Sequence, residues 1–157
     1  MKIRAMGRWV AAFLLAWFVF AIGPTEVLAN PFETLNPNHW SYEVLEGLSR
    51  RDLIDRYNRD RLRLGYHLTQ FDIALSVGEA LERLKSGATS YLEGDVPRNP
   101  TLKELIALYN ESDPLYPFDL RDEEMFAQLI SLVGAHLDVL GFDVPPDVPG
   151  GGMNSPR

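Results

Sequence analysis

The chain has 157 residues, no cysteine, and 15 Lys and Arg against 22 Asp and Glu, for a formal net charge of −7. That length supports one modest core, and the absence of cysteine excludes disulfides and thiolate chemistry. The acidic balance repels nucleic acid and other polyanions unless a local basic patch overrides it, so no nucleic-acid partner is expected.

Lys2, Arg4 and Arg8 precede an unbroken apolar run from Trp9 to Ile22; Pro24 ends it, and Val27-Leu28-Ala29 forms a signal-peptidase site. Export to the periplasm or cell envelope of a bacterium is expected, with cleavage after Ala29. Retention of the run as a membrane anchor is the alternative. Removing residues 1–29 takes three of the 15 basic and one of the 22 acidic residues, leaving 12 and 21 and a net charge of −9.

In residues 30–90, Asn38 is placed to cap a helix running to about Arg51, with Val44, Leu45 and Leu48 on one face. Leu53 and Ile54 enter the core next, and residues 50–63 form an Arg-rich loop. A second helix starts at Thr69, whose hydroxyl accepts from the backbone near Asp72 while Asp72 reaches back, a variant of the capping box. Its apolar face is Ile73, Val77, Leu81 and Leu84. Ser86-Gly87-Ala88-Thr89-Ser90 and Gly94 to Pro100 supply turn and linker chemistry at the boundary. Charge changes there too: residues 30–90 carry eight basic and nine acidic side chains, residues 91–157 four and twelve.

The order Phe32-x-x-Leu35-Asn36-Pro37-Asn38-His39-Trp40-Ser41-Tyr42, Val44-Leu45-x-x-Leu48, Leu53-Ile54-x-x-Tyr57 and Leu68-Thr69-Gln70-Phe71-Asp72 resembles one S-layer homology repeat over about fifty residues. The resemblance implies a helix-loop-helix module that binds peptidoglycan or a secondary cell-wall polymer, as at the periplasmic end of porins that tether an outer membrane to the wall. It implies that Trp40, Thr69 and Gln70 lie near the ligand. Three positions depart from the pattern: Thr34 replaces an Asp, Arg56 a Gly, and Gln70 the motif Arg. The last change exchanges a bidentate cation for a neutral hydrogen-bonder. Arg50, Arg51, Arg56, Arg59, Arg61 and Arg63, set against Asp52, Asp55 and Asp60, are able to restore the lost charge, with Arg56 and Arg63 as the leading candidates. A solvated salt-bridged surface is the alternative for that Arg-rich stretch, the core aromatic is the alternative for Trp40, and a cap alone accounts for Thr69.

Residues 91–118 read as a linker with a short helix, opened by a Thr101/Glu104 capping box and running to about Tyr109. Asp113-Pro114 and Tyr116-Pro117 stop it. Asp119 caps a longer helix to Leu140 with Asp122, Glu123 and Glu124 in its first turn and Gly141 at C′. Phe126, Leu129, Val133, His136 and Leu140 form a seam on it. That helix packs back on the first module or, through residues 119–140, assembles a homotrimer. From residue 143 the chain is expected to be a disordered Pro- and Gly-rich tail, and nothing after residue 90 reads as the alternating strands that a barrel requires.

An all-α fold is therefore expected: a small S-layer-homology-like module, a short helix and a longer apolar helix. Catalysis is not expected. His39, His67 and His136 are scattered, no Gly-rich loop opens a helix, and Glu43 and Glu46 lie one turn apart on a solvated face. No metal or cofactor is expected. The function implied is non-catalytic binding of a wall polymer; the alternative is a periplasmic scaffold whose repeat no longer binds polymer, and a truncated porin relative fits the same features.

Overall fold

The computed structural model describes residues 32–91 and 99–149. The expected export segment and cleavage site, residues 92–98 of the expected linker and the last eight residues lie outside that range. Among the described residues the fold is all-α: α1 (Trp40–Arg50), α2 (Arg56–Arg63), α3 (Gln70–Tyr91), α4 (Leu102–Glu111) and α5 (Leu120–Leu140). One isolated antiparallel bridge, Thr34 to Thr69, ties the entry of the chain to the start of α3. No described helix is long and apolar enough to cross a membrane.

The helix ends follow local chemistry. Asp119 accepts from the Asp122 backbone, and the Thr101/Glu104 capping box is complete. His39 caps α1 through Nδ1, which accepts from the Ser41 backbone at 3.3 Å. This corrects the expected Asn38 cap: Asn38 instead donates its backbone N–H to the Asn36 side chain. At the C-terminal ends of α1, α2 and α5 the same pair of backbone bonds recurs, Leu53 to Leu48 with Asp52 to Ser49, Tyr66 to Arg61 with Gly65 to Leu62, and Phe142 to Leu137 with Gly141 to Asp138. Each needs a left-handed residue at C′, which Gly65 and Gly141 adopt without strain and Asp52 adopts at φ 60°.

Two expected irregular stretches are helical. The Arg-rich loop contains α2, capped by Asp55, whose side chain accepts from the Asn58 backbone at 2.7 Å. It buries only Asn58 and Leu62, so no apolar period announces it. Similarly, α3 runs straight through Ser86-Gly87-Ala88 to Tyr91. Leu84 and Ala88 are buried and extend the stripe of Ile73, Val77 and Leu81, so packing outweighs the weak helix propensity of Ser and Gly. The Ser86 hydroxyl donates to the Glu82 carbonyl and so spends its polarity within the helix.

The central helix is α3. It packs most extensively on α5, then on α4 and α1, while α1 also meets α5 and α2. Phe126, Leu129, Ile130, Val133 and Leu137 of α5 are buried in one core with the α3 stripe, Leu45 and Leu48 of α1, and Leu102, Leu105 and Ile106 of α4. The two segments that charge and composition separated therefore share a core. His136, expected on the seam, is only half-buried, and its Nδ1 has no partner.

The chain past α5 corrects the expectation of a disordered tail from residue 143. Phe142 lies so close to Gly78 that a Cβ there would meet its ring at 2.3 Å. Asp147 accepts from the backbone of Leu102 at 2.7 Å and Lys103 at 3.3 Å, and Val148 is buried. Residues 142–149 thus form a strap from α3 to the free N–H groups at the start of α4.

Candidate functional site

At the start of α3, Thr69 and Asp72 close on each other: the Thr69 hydroxyl accepts from the Asp72 backbone at 3.1 Å, and the Thr69 backbone and hydroxyl donate to Asp72 at 2.9 and 2.8 Å. From α2, Arg61 approaches the same carboxylate with two nitrogens, at 2.6 and 3.2 Å. Burial opposes ionisation of Asp72, but the Arg61 guanidinium and the Thr69 donors prevail and hold its carboxyl below the usual range. The bond to Asp72 likewise raises Arg61, against a smaller effect of burial. A cation therefore stands beside the Thr69-Gln70-Phe71-Asp72 turn, delivered from α2, and it is already neutralised.

The backbone around this corner is equally occupied. Gln70 donates its N–H to the Glu33 carbonyl at 3.1 Å, and Leu35 to the Leu68 carbonyl at 2.9 Å. The Tyr42 hydroxyl accepts from the Leu68 N–H at 2.8 Å and lies 3.1 and 3.3 Å from the Leu35 and Tyr66 carbonyls. One phenol on α1 thus pins both passing chains. Trp40 is half-buried against the core, its ring 5.4 Å from His39. Among the described residues no hydrogen bond or ring contact joins Trp40 to Thr69 or Gln70. Thr69 and Gln70 are neighbours at the corner; Trp40 serves the core and the start of α1.

The arginines of the stretch divide sharply. Arg51 is 8% exposed at its side chain, pairs with Asp122, donates to the Gly47, Tyr116 and Pro117 carbonyls, and lies 4.2 Å over the Phe118 ring. It knots α1 to the turn before α5. Arg59 pairs with Asp52 and also donates to the Ile54 carbonyl. Arg56 and Arg63 stand apart from these. The Arg56 side chain is 92% exposed with only Asp60 nearby at 3.9 Å, and Arg63 is exposed with no ion-pair partner among the described residues. Tyr57, Leu64 and Tyr66, also exposed, flank them.

The cleft between α1 and α5, lined by Glu43, Gly47, Arg50, Arg51, Phe118 and Met125, encloses about 50 Å³, room for water and not for a sugar. Among the described residues no group of three or more His, Asp or Glu is arranged to hold a metal ion. Sequence reasoning counted Arg61 among the arginines able to supply the lost charge but did not single it out, because nothing in one chain signals a pair eleven residues apart across an unrecognised helix. It missed Tyr42 as a hub for the same reason. No protein-family model, curated protein or solved structure matches the chain.

Proposed function

We propose that this is a non-catalytic protein of the bacterial cell envelope, exported and cleaved after Ala29, that holds peptidoglycan or an acidic wall-linked polymer through an S-layer-homology-like module. The observation that carries the reading is the outer face of α2. In a chain whose cleaved form carries net charge −9 it presents Arg56 and Arg63 free of strong carboxylate partners among the described residues, beside exposed Tyr57, Leu64 and Tyr66. Such a face attracts an acidic polymer locally despite the global field, and flat side chains add stacking area. Sedimentation with purified sacculi tests it: the mature protein is expected in the pellet at low salt and released as salt rises. Protein that stays in the supernatant at low salt would sink the reading.

The second reading, a scaffold that no longer binds polymer, draws support from Thr69, Asp72 and Arg61, which satisfy one another and leave no open charge at the motif. The outer side of α5 carries exposed Leu132 and Val139, whereas the seam of Phe126, Leu129 and Val133 is already used within the chain. A trimer through residues 119–140 has to use that outer side. Light scattering that finds only monomer at high micromolar concentration would reject it.

A further inference from the structure

Arg56 and Arg63 are seven residues apart on α2, hence on one side of the helix and about 10 Å apart along its axis. Tyr57 and the capping residue Leu64 repeat the same interval one position on, Tyr57 with the Arg61 guanidinium 5.6 Å from its ring centre and its outer face exposed, so a row of flat and apolar side chains runs beside the cationic one. Between the arginines lies Asp60, about half-exposed and 3.9 Å from Arg56. The remaining cations of the helix are committed, Arg59 to Asp52 and Arg61 to Asp72. A separation of about 10 Å is too wide for one carboxylate or phosphate to engage both guanidinium groups. A single exposed arginine binds a single anion hardly at all.

We propose that the outer face of α2 is a two-point site for a polyanionic glycan whose acidic groups recur at roughly the interval of Arg56 and Arg63, with Tyr57 and Leu64 lying along the sugar between them. The proposal deepens the wall-polymer reading by naming the charge spacing of the ligand, and it rests on that reading. The surface is convex, so the ligand runs along the helix and does not enter a pocket. Binding then depends on chain length, because the second contact is intramolecular once the first has formed. Asp60 is a built-in brake, repelling an anion placed between the two arginines.

Hyaluronan, with one carboxylate per disaccharide, serves as the probe, from the disaccharide to long chains, with inorganic phosphate and single-stranded DNA alongside. Long hyaluronan is expected to bind saturably at low salt, whereas the disaccharide and phosphate do not. Arg56→Gln and Arg63→Gln should each weaken binding at least fivefold, and Asp60→Asn should strengthen it severalfold. All three side chains are exposed, so these variants keep the fold. Equal binding of phosphate and long glycan, or loss confined to one arginine, would overturn the two-point site; DNA binding as tightly with the same arginine dependence would overturn the assignment to a glycan. Sacculi that retain a chain carrying both Arg56→Gln and Arg63→Gln would reject this face and leave the wall reading standing. Hyaluronan binding without any sacculus binding would support the face and reject the wall reading.

Discussion

Helices α2 and α5 are stabilised in opposite ways. Along its 21 residues α5 buries Phe126, Leu129, Ile130, Val133 and Leu137, and hydrophobic burial against α3 holds it in place. The eight residues of α2 bury one apolar side chain, Leu62, and the helix is pinned at its ends and flank by polar bonds: Asp55 to Asn58, Arg59 to Asp52 and Arg61 to Asp72. A helix held by burial commits its apolar stripe to the core, and one held mainly by ionic clips can keep unpaired charged side chains on its outer face. The free face of α2 is where binding is proposed.

The sharpest break in that comparison is Leu129→Ala. Leu129 is fully buried on α5, so truncation should cost about 2–5 kcal/mol in urea unfolding. Arg63→Ala on α2 should stay within about 0.5 kcal/mol. A cost for Leu129 below 1 kcal/mol would show that α5 is not packed on α3. A charge at the same position, Leu129→Asp, is expected to unfold the chain and not merely to separate copies of it.

Next in size is Arg51→Met, which keeps much of the stem's packing but leaves the Tyr116 and Pro117 carbonyls and Asp122 without their donor; a loss of about 2–3 kcal/mol is expected. Hydrogen exchange should rise first at residues 112–119, and unchanged exchange there would reject the knot. Gly78→Ala is expected to cost about 1–3 kcal/mol, because its Cβ collides with the Phe142 ring and must push the strap away. The double variant with Phe142→Ala should recover part of that loss.

The ionic clip of α2 gives a pH signature. Asp72 titrates lower in the folded than in the unfolded chain, so its contribution is fully present above the unfolded value of about 3.9 and is lost as pH falls through the folded value. Acid unfolding of Asp72→Asn should therefore show a shallower decline below about pH 4 than the parent. The smallest effect, and a gain, is expected at the end of α4. Asp113 holds φ 53°, and among the described residues its carboxylate makes no hydrogen bond or ion pair, so Asp113→Gly should stabilise by up to about 1 kcal/mol. Asp52→Gly relieves the same conformation but releases Arg59, and little net change is expected. Equal gains at both positions would mean that the Arg59 clip contributes nothing.

Signals contained within about four residues were legible in the chain. The Thr69/Asp72 and Thr101/Glu104 caps, the Asp119 cap, Gly141 at C′ and the buried faces of α1, α3 and α5 follow from hydrogen-bond reach and the 3.6-residue period, which act before any long-range contact forms. The all-α class followed from them. What only the tertiary structure decided depends on partners far along the chain. α2 exists because Asp52 and Asp72 receive its arginines, and α3 continues through Ser86-Gly87 because Leu84 and Ala88 have a core to enter. The strap is ordered because Asp147 reaches N–H groups 45 residues earlier. The candidate site divides along the same line. Trp40, Arg56, Arg63, Thr69 and Gln70 were nameable from the sequence, but which arginines remain unneutralised is fixed by the placement of the carboxylates, because a charge is free or spent only in relation to groups that folding brings near.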